Sequence, residues 1–148
     1  MNSTLTVINK TSESFAEDVF AELAEKILIE ELADQEGMIQ PAPDLCLILC
    51  EGEMIRELNR KYRGTDAKTD VLSFRGDYPE IPQLGDIIID IEKAFNQKGD
   101  MSLNFEVQTL FLHGLLHLLG YDHITQKQQL EMHKKEKLYR KYIKEISK

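Results

Sequence analysis

Hydrophobic residues recur along this chain with two spacings, and the shorter one predicts strands. Residues 5–8 alternate enough between apolar and polar side chains to form a first strand. Residues 45–50 are apolar at every position, as expected for a strand buried on both faces in the centre of a sheet. Residues 71–74 are predicted as a third strand and residues 86–91 as a fourth.

The longer spacing, about 3.6 residues, predicts five helices. Ser14 and Glu17 match a capping box, which predicts an amphipathic helix that ends around residues 34–37. Further helices are predicted at residues 53–62, at residues 92–97, after a cap at Ser102, and at residues 125–146. The apolar stripe of the last helix is expected to consist of Leu130, Leu138, Tyr142 and Ile146.

Strands alternate with helices at first, and two helices close the chain. This order is typical of an α+β or α/β domain with a small sheet of about four strands. A chain of 148 residues has the length of one domain, so we expect residues 1–148 to form a single domain. The pattern leaves the order of the strands open.

Charge is distributed unevenly along this acidic chain, whose formal net charge is −8 at pH 7. That value argues against a general nucleic-acid-binding protein. Residues 54–75, however, include 6 basic and 3 acidic residues, and residues 124–148 include 8 basic and 3 acidic residues. Two basic zones therefore lie in an acidic protein, and for the second zone taken alone a solvated helix face is the favoured explanation.

The composition gives no sign of a membrane-bound or secreted protein. No apolar run approaches the roughly 20 residues of a membrane span. The N-terminus has no basic segment followed by an apolar core, which a signal peptide would need. Cys46 and Cys50 are about 13 Å apart in an extended strand, too far for a disulfide. We therefore expect a cytoplasmic protein with two reduced, buried cysteines.

Three of the four histidines lie within eleven residues and predict a metal site. His113 and His117 are four residues apart, which places both rings on one face of a helix. Gly120 is expected to end that helix with a positive φ, so that the chain turns and brings His123 back toward the pair. Three imidazoles with an open fourth position form a catalytic zinc site rather than a structural one. The fourth histidine, His133, lies in a charged stretch and is expected to be solvated.

The same histidine spacing occurs in metzincin proteases, where the first histidine is followed by a glutamate that acts as general base. Here that position is Gly114, which has no side chain to accept a proton. The sequence therefore predicts the metal ligands of such a protease without its base.

Four segments together resemble the YbeY family of bacterial endoribonucleases, which are ribosomal RNA maturation factors. Residues 113–123 resemble that family's signature H-G-x-L-H-L-x-G-Y-D-H. The other three segments span residues 58–63, 69–74 and 84–87, with the sequences L-N-R-K-Y-R, T-D-V-L-S-F and L-G-D-I. Two positions depart from the family pattern, because Lys68 and Arg75 stand where proline is usual. Each loss of a proline is expected to loosen a loop beside the site without removing a metal ligand.

The resemblance implies a single α+β domain with about five helices around a small mixed sheet, and with the metal-binding helix near the C-terminus. It implies one Zn²⁺ per chain on His113, His117 and His123, and cleavage of single-stranded RNA. It also implies a role in small-subunit ribosomal RNA maturation and in ribosome quality control. The implied partners are ribosomal RNA, the small ribosomal subunit, ribosomal proteins and an assembly GTPase, without a membrane.

Arg63 is the first candidate for catalysis, because it matches the family's Y-R segment and lies in the first basic zone. A guanidinium is well suited to the charge that develops on a phosphate during cleavage. The alternative is a structural ion pair between Arg63 and either Asp66 or Asp70. Asp70 is also a candidate for orienting a metal ligand or Arg63 itself.

Three further residues are candidates for supporting roles. Asp122 is expected either to orient an imidazole or to cap the neighbouring turn. Tyr62 is a candidate for stacking on an unpaired base, and Arg75 for contacting an RNA phosphate.

Two other functions compete with an endoribonuclease. One is a non-catalytic ribosome assembly factor that binds RNA or protein and uses zinc structurally, which the open coordination position disfavours. The other is a zinc peptidase, which Gly114 disfavours.

Overall fold

The computed structural model describes residues 4–32, 43–76 and 83–146, without the side chains of Gln83 and of residues 144–146. The described part of the chain contains four strands and five helices. In chain order they are β1 (Thr4–Asn9), α1 (Glu17–Leu32), β2 (Asp44–Cys50), α2 (Gly52–Arg63), β3 (Val71–Arg75), β4 (Gln83–Asp90), α3 (Ile91–Gln97), α4 (Leu103–Leu118) and α5 (Gln126–Ile146).

The four strands form one mixed sheet in the order β1-β2-β4-β3. β2 lies between β1 and β4 and is parallel to both, whereas β3 is antiparallel to β4 at the edge. The paired residues Leu47 and Ile87 are both fully buried, which confirms the prediction that residues 45–50 form a central strand. The predicted α+β class with a small mixed sheet and about five helices is confirmed.

Alternate residues of each strand point to opposite faces of the sheet, and each face has its own helices. Leu47 and Ile87 pack into the main core, together with buried residues of α1, α4 and α5. Ile88 and Leu72 point to the other face and pack against Ile55 of α2. The helix that carries the histidine pair, α4, therefore covers one face of the sheet, and α2 covers the other.

The predicted helix caps are partly confirmed. The Ser102 hydroxyl accepts a hydrogen bond from the backbone N–H of Phe105 at 3.1 Å, which confirms the cap of α4. The capping box at Ser14 is wrong, because α1 begins only at Glu17. The predicted end of α1, at residues 34–37, lies outside the described residues. At the end of β4, Asp90 caps α3 by accepting from the backbone of Glu92, so α3 begins at Ile91, one residue earlier than predicted.

The apolar face of α5 differs from the predicted stripe. Leu130 and Leu138 are 64% and 38% exposed, and the side chain of Ile146 is not described. The buried residues of α5 are Met132, Tyr139 and Ile143, and Tyr142 is half-buried beside them. The prediction assigned the apolar stripe to leucines, whereas a methionine and a tyrosine fill the space against α1 and α4.

None of the helices in residues 4–32, 43–76 and 83–146 combines the length and the apolar composition that crossing a bilayer requires.

Candidate functional site

The C-terminal half of α4 brings two imidazoles into contact. The Nε2 atoms of His113 and His117 lie 3.2 Å apart, and their ring centroids are 4.7 Å apart. Both side chains are half-buried, because they project from the edge of a helix whose opposite face packs on the sheet. The pair therefore presents two ring nitrogens at one point on the surface.

Gly120 turns the chain back toward this pair, as predicted. Its φ is 105°, a value that L side chains rarely adopt. Its N–H donates to the carbonyl of His117 at 3.0 Å, and the next N–H, of Tyr121, donates to the carbonyl of Leu116 at 3.0 Å. These two bonds make a Schellman motif, which ends α4 and satisfies its last carbonyls.

The turn places His123 beside the pair. Its ring centroid is 5.2 Å from that of His117 and 6.2 Å from that of His113. The side chain is 62% exposed, and its Nδ1 lies 3.3 Å from Oδ1 of Asp122. The three histidines that the spacing singled out are therefore neighbours in the fold, whereas His133 is exposed on α5, as predicted.

The donor set suits a zinc ion only in part in the observed conformation. Two nitrogens at about 2.0–2.1 Å from a tetrahedral zinc lie about 3.3–3.4 Å apart, close to the separation of the His113 and His117 Nε2 atoms. Across the described ranges, however, no three His, Cys, Asp or Glu side chains are already arranged as a metal-binding group. The His123 ring faces Asp122 instead of the other two imidazoles, and its side chain is 62% exposed.

Each imidazole also has a partner behind it. His113 Nδ1 donates to Oε1 of Glu136 at 2.9 Å, His117 has a hydrogen bond with the backbone of Tyr121, and His123 faces Asp122. Burial of the ring, and then the two neighbouring imidazoles, lower the pKa of His117 below its ordinary value. The lower pKa favours the neutral form of the His117 imidazole, in which one ring nitrogen has a free lone pair.

Asp122 has a contact that corresponds to each of the roles that the sequence left open. Its Oδ1 accepts a hydrogen bond from the backbone N–H of His123 at 2.8 Å, and the same oxygen faces the imidazole of His123. Asp122 therefore contacts both the turn and the ring.

Gly114 lies on the side of α4 that packs on the sheet. A Cβ at this position would be 2.8 Å from Cγ2 of Ile87 and 3.0 Å from Oγ of Ser73. Ile87 is fully buried and β-branched, so it has little freedom to move away. This position therefore has no side chain that could act as the general base of a metzincin, and the packing on the sheet leaves no room for one.

Arg63 lies at the end of α2 and reaches the edge strand rather than the histidines. Its Nη2 donates to the carbonyl of Ser73 at 2.5 Å, and its guanidinium lies over the Phe74 ring at 5.1 Å. The Ser73 hydroxyl in turn donates to the carbonyl of Gly114 at 3.2 Å. A single residue of β3 therefore separates Arg63 from the histidine helix.

The alternative ion pair of Arg63 is not formed. Asp66 pairs instead with Arg56, whose Nε lies 2.7 Å from Oδ1 of Asp66. Asp70 accepts a hydrogen bond from Gln97 at 3.2 Å. Neither carboxylate holds the Arg63 guanidinium.

Asp70 lies close to the histidines without bonding to one. Together with His113, Glu136 and Arg140 it lines a small cleft of about 130 Å³. Its carboxylate accepts from Gln97 and from its neighbour Thr69. The structure thus places Asp70 beside the site but gives it no contact with a histidine or with Arg63.

The two residues proposed to contact RNA lie near opposite faces of β3, Tyr62 at the end of α2 and Arg75 at the end of β3 itself. Tyr62 is 59% exposed, and its ring makes an edge-to-face contact with Phe74, with centroids 5.7 Å apart. Arg75 is exposed, and its Nη2 donates to the carbonyl of His117 at 3.4 Å. Arg75, not Arg63, is therefore the arginine that contacts the histidine helix directly.

Sequence analysis missed two carboxylates that hold the site in place. Glu136 forms a hydrogen bond with His113. Its position on the buried face of α5, between Met132 and Tyr139, could have indicated a role, but the predicted apolar stripe of α5 did not include that face. The hydrogen bond from His113 lowers the pKa of the Glu136 carboxyl, although burial acts in the opposite direction. Glu31 is the other carboxylate.

Glu31 of α1 anchors the turn that carries His123. The Tyr121 hydroxyl donates to its Oε1 at 2.5 Å, and the Tyr139 hydroxyl donates to its Oε2 at 2.5 Å. Lys135 Nζ lies 2.8 Å from Oε2, and the Glu31 side chain is only 9% exposed. No pattern in the sequence pairs Glu31 with Tyr121, because 90 residues separate them.

Comparisons with known proteins agree with each other. A family model described as "Endoribonuclease YbeY" matches residues 6–144. The Endoribonuclease YbeY of Bacillus velezensis is 36% identical over 150 residues, which cover 93% of this chain and 93% of that protein. The protein of the same name from Clostridioides difficile is 40% identical over 130 residues, which cover 80% of this chain and 84% of that protein.

A solved structure has the same fold. The solution structure of a Thermotoga maritima protein superposes with a TM-score of 0.60 and 25% sequence identity. The match covers 96% of this chain and 89% of that one.

Proposed function

This chain belongs to the YbeY family of endoribonucleases, and from that premise we propose that it is a zinc-dependent endoribonuclease that cleaves single-stranded RNA. Its role is in maturation of the small-subunit ribosomal RNA and in ribosome quality control. The observation that supports this proposal best is the convergence of His113, His117 and His123, with their ring centroids 4.7–6.2 Å apart.

One Zn²⁺ per chain is the proposed cofactor, held by His113, His117 and His123. The first two already have the Nε2 separation that two zinc ligands need, and the third completes the set when its exposed ring rotates. Zinc bound there supplies Lewis acidity toward a phosphodiester. Asp122 is proposed to orient the His123 ring, because its Oδ1 faces that imidazole at 3.3 Å.

Arg63 is proposed to bind the phosphate on which charge develops. One of its nitrogens is fixed on the carbonyl of Ser73, and its plane rests on Phe74. A guanidinium has five N–H donors, so donors remain for two phosphate oxygens. Its side chain is thus oriented by the edge strand before RNA arrives, which limits the entropy lost on binding.

Tyr62 and Arg75 are proposed to guide the RNA on either side of β3. The exposed Tyr62 ring offers a stacking surface for an unpaired base, and Lys61 lies 5.2 Å from its centroid. Arg75 offers a phosphate contact at the end of α4. Because these groups need splayed bases and an accessible backbone, single strands fit better than duplexes.

Asp70 is proposed to support this site from the cleft that it shares with His113. The proposed partners are ribosomal RNA and the small ribosomal subunit, with ribosomal proteins and an assembly GTPase as further partners. The N-terminal part of the chain suits a protein partner better, because residues 1–53 include 12 acidic and 2 basic residues.

Two competing functions remain testable with the same protein. A zinc peptidase is disfavoured by the packing of Gly114 on Ile87, which leaves no place for a general base, so we expect no metal-dependent digestion of casein. A non-catalytic assembly factor would bind ribosomal RNA and zinc but cleave nothing.

The deciding experiment measures zinc content and cleavage of a labelled single-stranded RNA by four proteins. Wild type should contain about one zinc per chain and cleave the RNA. His117→Ala should lose both zinc and cleavage, whereas Arg63→Ala should keep zinc and cleave at least ten-fold more slowly. Arg60→Ala is the matched control, because Arg60 lies on the same helix and pairs with Glu57.

Three results would contradict the proposal. Full activity in metal-free wild type would rule out zinc dependence. Zinc binding and RNA binding without cleavage would favour the assembly factor. Cleavage by Arg63→Ala at the wild-type rate, with equal metal content, would make Arg63 structural.

A further inference from the structure

A carboxylate from α5 lies directly behind one of the proposed metal ligands. Oε1 of Glu136 is 2.9 Å from Nδ1 of His113, and the Glu136 side chain is only 20% exposed. The contact between His123 Nδ1 and Asp122 Oδ1 is longer, at 3.3 Å. Nothing in the sequence pattern had assigned a role to Glu136.

The position of Glu136 on the packed face of α5 is energetically unfavourable unless its carboxylate has partners. It lies four residues after Met132 and three before Tyr139, which are both buried. The packed face of a helix normally excludes a carboxylate, because burying a charge without partners is strongly unfavourable. Its partners here are His113 on one oxygen and Arg140, whose Nη2 is 3.8 Å from the other oxygen.

The contact decides which nitrogen of His113 carries the proton. An ionised carboxylate only accepts hydrogen bonds, so Nδ1 of His113 must be the donor. The lone pair of the neutral ring is then on Nε2, which faces Nε2 of His117 at 3.2 Å. The other tautomer would place a proton at the point where the metal is expected.

We propose that Glu136 is a positioning residue that holds His113 in the Nδ1–H tautomer and in its observed orientation, and thereby raises the affinity of the three-histidine site for Zn²⁺. The affinity part of this inference rests on the proposed function, whereas the tautomer part concerns the protein without metal. Outer partners of this kind typically change metal affinity by about 10–100-fold.

The first measurement is of the tautomer in the chelator-treated full-length protein. Long-range ¹H–¹⁵N correlation spectra, recorded at a pH where the rings are neutral, distinguish the two nitrogens of His113. Wild type should show Nδ1–H, and Glu136→Ala should shift the population toward Nε2–H. Glu136→Gln should retain much of the wild-type pattern, because its amide oxygen can still accept from Nδ1.

The second measurement is of zinc affinity, by competition with a chromophoric chelator. We expect Glu136→Ala to weaken zinc binding by about 10–100-fold and Glu136→Gln to weaken it less. Glu131→Ala is the matched control, because it removes the same charge from an exposed position of α5. It should bind zinc like wild type. Thermal unfolding by circular dichroism checks that each variant is folded, and Glu136→Leu, which also lacks an acceptor for Nδ1, replaces Glu136→Ala if that variant is not folded.

The outcomes separate this inference from the proposed function. If folded Glu136→Ala keeps both the Nδ1–H tautomer and the zinc affinity of wild type, the role of Glu136 is overturned while the zinc site stands. A loss of affinity equal to that of Glu131→Ala would also overturn it, because it would be an effect of net charge. If wild type itself binds no zinc, the proposed cofactor and the affinity role of Glu136 both fail, and the tautomer spectra then show whether Glu136 orients His113 at all.

Discussion

At the scale of single residues, the geometry of the site depends on Gly114, which has no side chain. Gly114 lets α4 approach the sheet, since a Cβ there would collide with Ile87 and Ser73. The same close approach lets the Ser73 hydroxyl reach the Gly114 carbonyl, which connects β3 to the histidine helix. Gly114 therefore sets the distance between the helix with the histidines and the strand that holds Arg63.

We expect Gly114→Ala to destabilise the protein. Overpacking a buried contact typically costs about 1–3 kcal/mol, and the higher helix propensity of alanine returns about 1 kcal/mol. The expected net loss in the free energy of unfolding is therefore about 1 kcal/mol, measured by urea denaturation. Asn104→Ala, at an exposed position of the same helix, is the control and should not destabilise. A Gly114→Ala protein as stable as wild type would show that α4 can move away from Ile87 freely.

At the scale of elements, three helices hold the turn that carries His123. α4 ends in the Schellman motif at Gly120, and the following Tyr121 bonds to Glu31 of α1. α5 contributes Tyr139 and Lys135 to the same carboxylate. Burial alone would raise the pKa of the Glu31 carboxyl, but the hydrogen bonds from Lys135, Tyr121 and Tyr139 together hold it below its ordinary value.

The Glu31 network makes a pH-dependent contribution to stability. Because the pKa of Glu31 is lower in the folded protein than in the unfolded chain, its contribution is present at neutral pH and is lost as the pH falls through the folded value. Glu31→Gln should therefore reduce the free energy of unfolding by about 2 kcal/mol at pH 7, and the difference from wild type should shrink below about pH 4.3.

Urea denaturation at several pH values measures this difference. Glu22→Gln removes an exposed carboxylate from the same helix and should change stability by no more than about 0.5 kcal/mol at any pH. A loss in Glu31→Gln that is the same at acidic and neutral pH would assign the effect to packing rather than to charge.

At the scale of the whole molecule, the sheet order brings distant segments of the chain together. β3 lies at the edge beside β4, with α2 on one face and α4 on the other. Arg63 therefore lies against β3, and Arg75 at the end of β3 contacts the helix of the first two histidines, which come 38 or more residues later in the sequence. Residues 1–53, with 12 acidic and 2 basic residues, repel RNA, so we expect RNA to bind at the edge formed by β3.

RNA affinity should fall as the salt concentration rises. The slope of log K against log salt should depend on the basic residues of 54–75. Each phosphate contact to a single strand contributes about 0.7 to the slope of log K against log salt, so Lys61→Ala should lower the slope by about that amount. Lys127→Ala, in the C-terminal basic zone, should leave it unchanged. Fluorescence anisotropy of a labelled RNA, in a His117→Ala background that leaves the RNA intact, measures both slopes. Equal effects of the two substitutions would contradict a binding edge.

The sequence by itself determined the local features of this protein. The spacing of His113 and His117 within a helix, the positive φ of Gly120 and the central strand at residues 45–50 are all present in the structure. They were predictable because helix periodicity, glycine turns and runs of apolar residues depend on neighbours within a few positions. The family signature added the α+β class, which the observed sheet confirms.

Tertiary structure alone decided which partner each side chain has. It pairs Asp66 with Arg56 rather than with Arg63, places Glu136 behind His113, and joins Tyr139 to Glu31 across 108 residues of sequence. It also decided the buried face of α5, on which Met132 and Tyr139 are buried, whereas Leu130 and Leu138 are exposed. The physical reason is that a hydrogen bond or an ion pair depends on distances set by helix packing, and many charged residues along a chain are equivalent until that packing selects one of them.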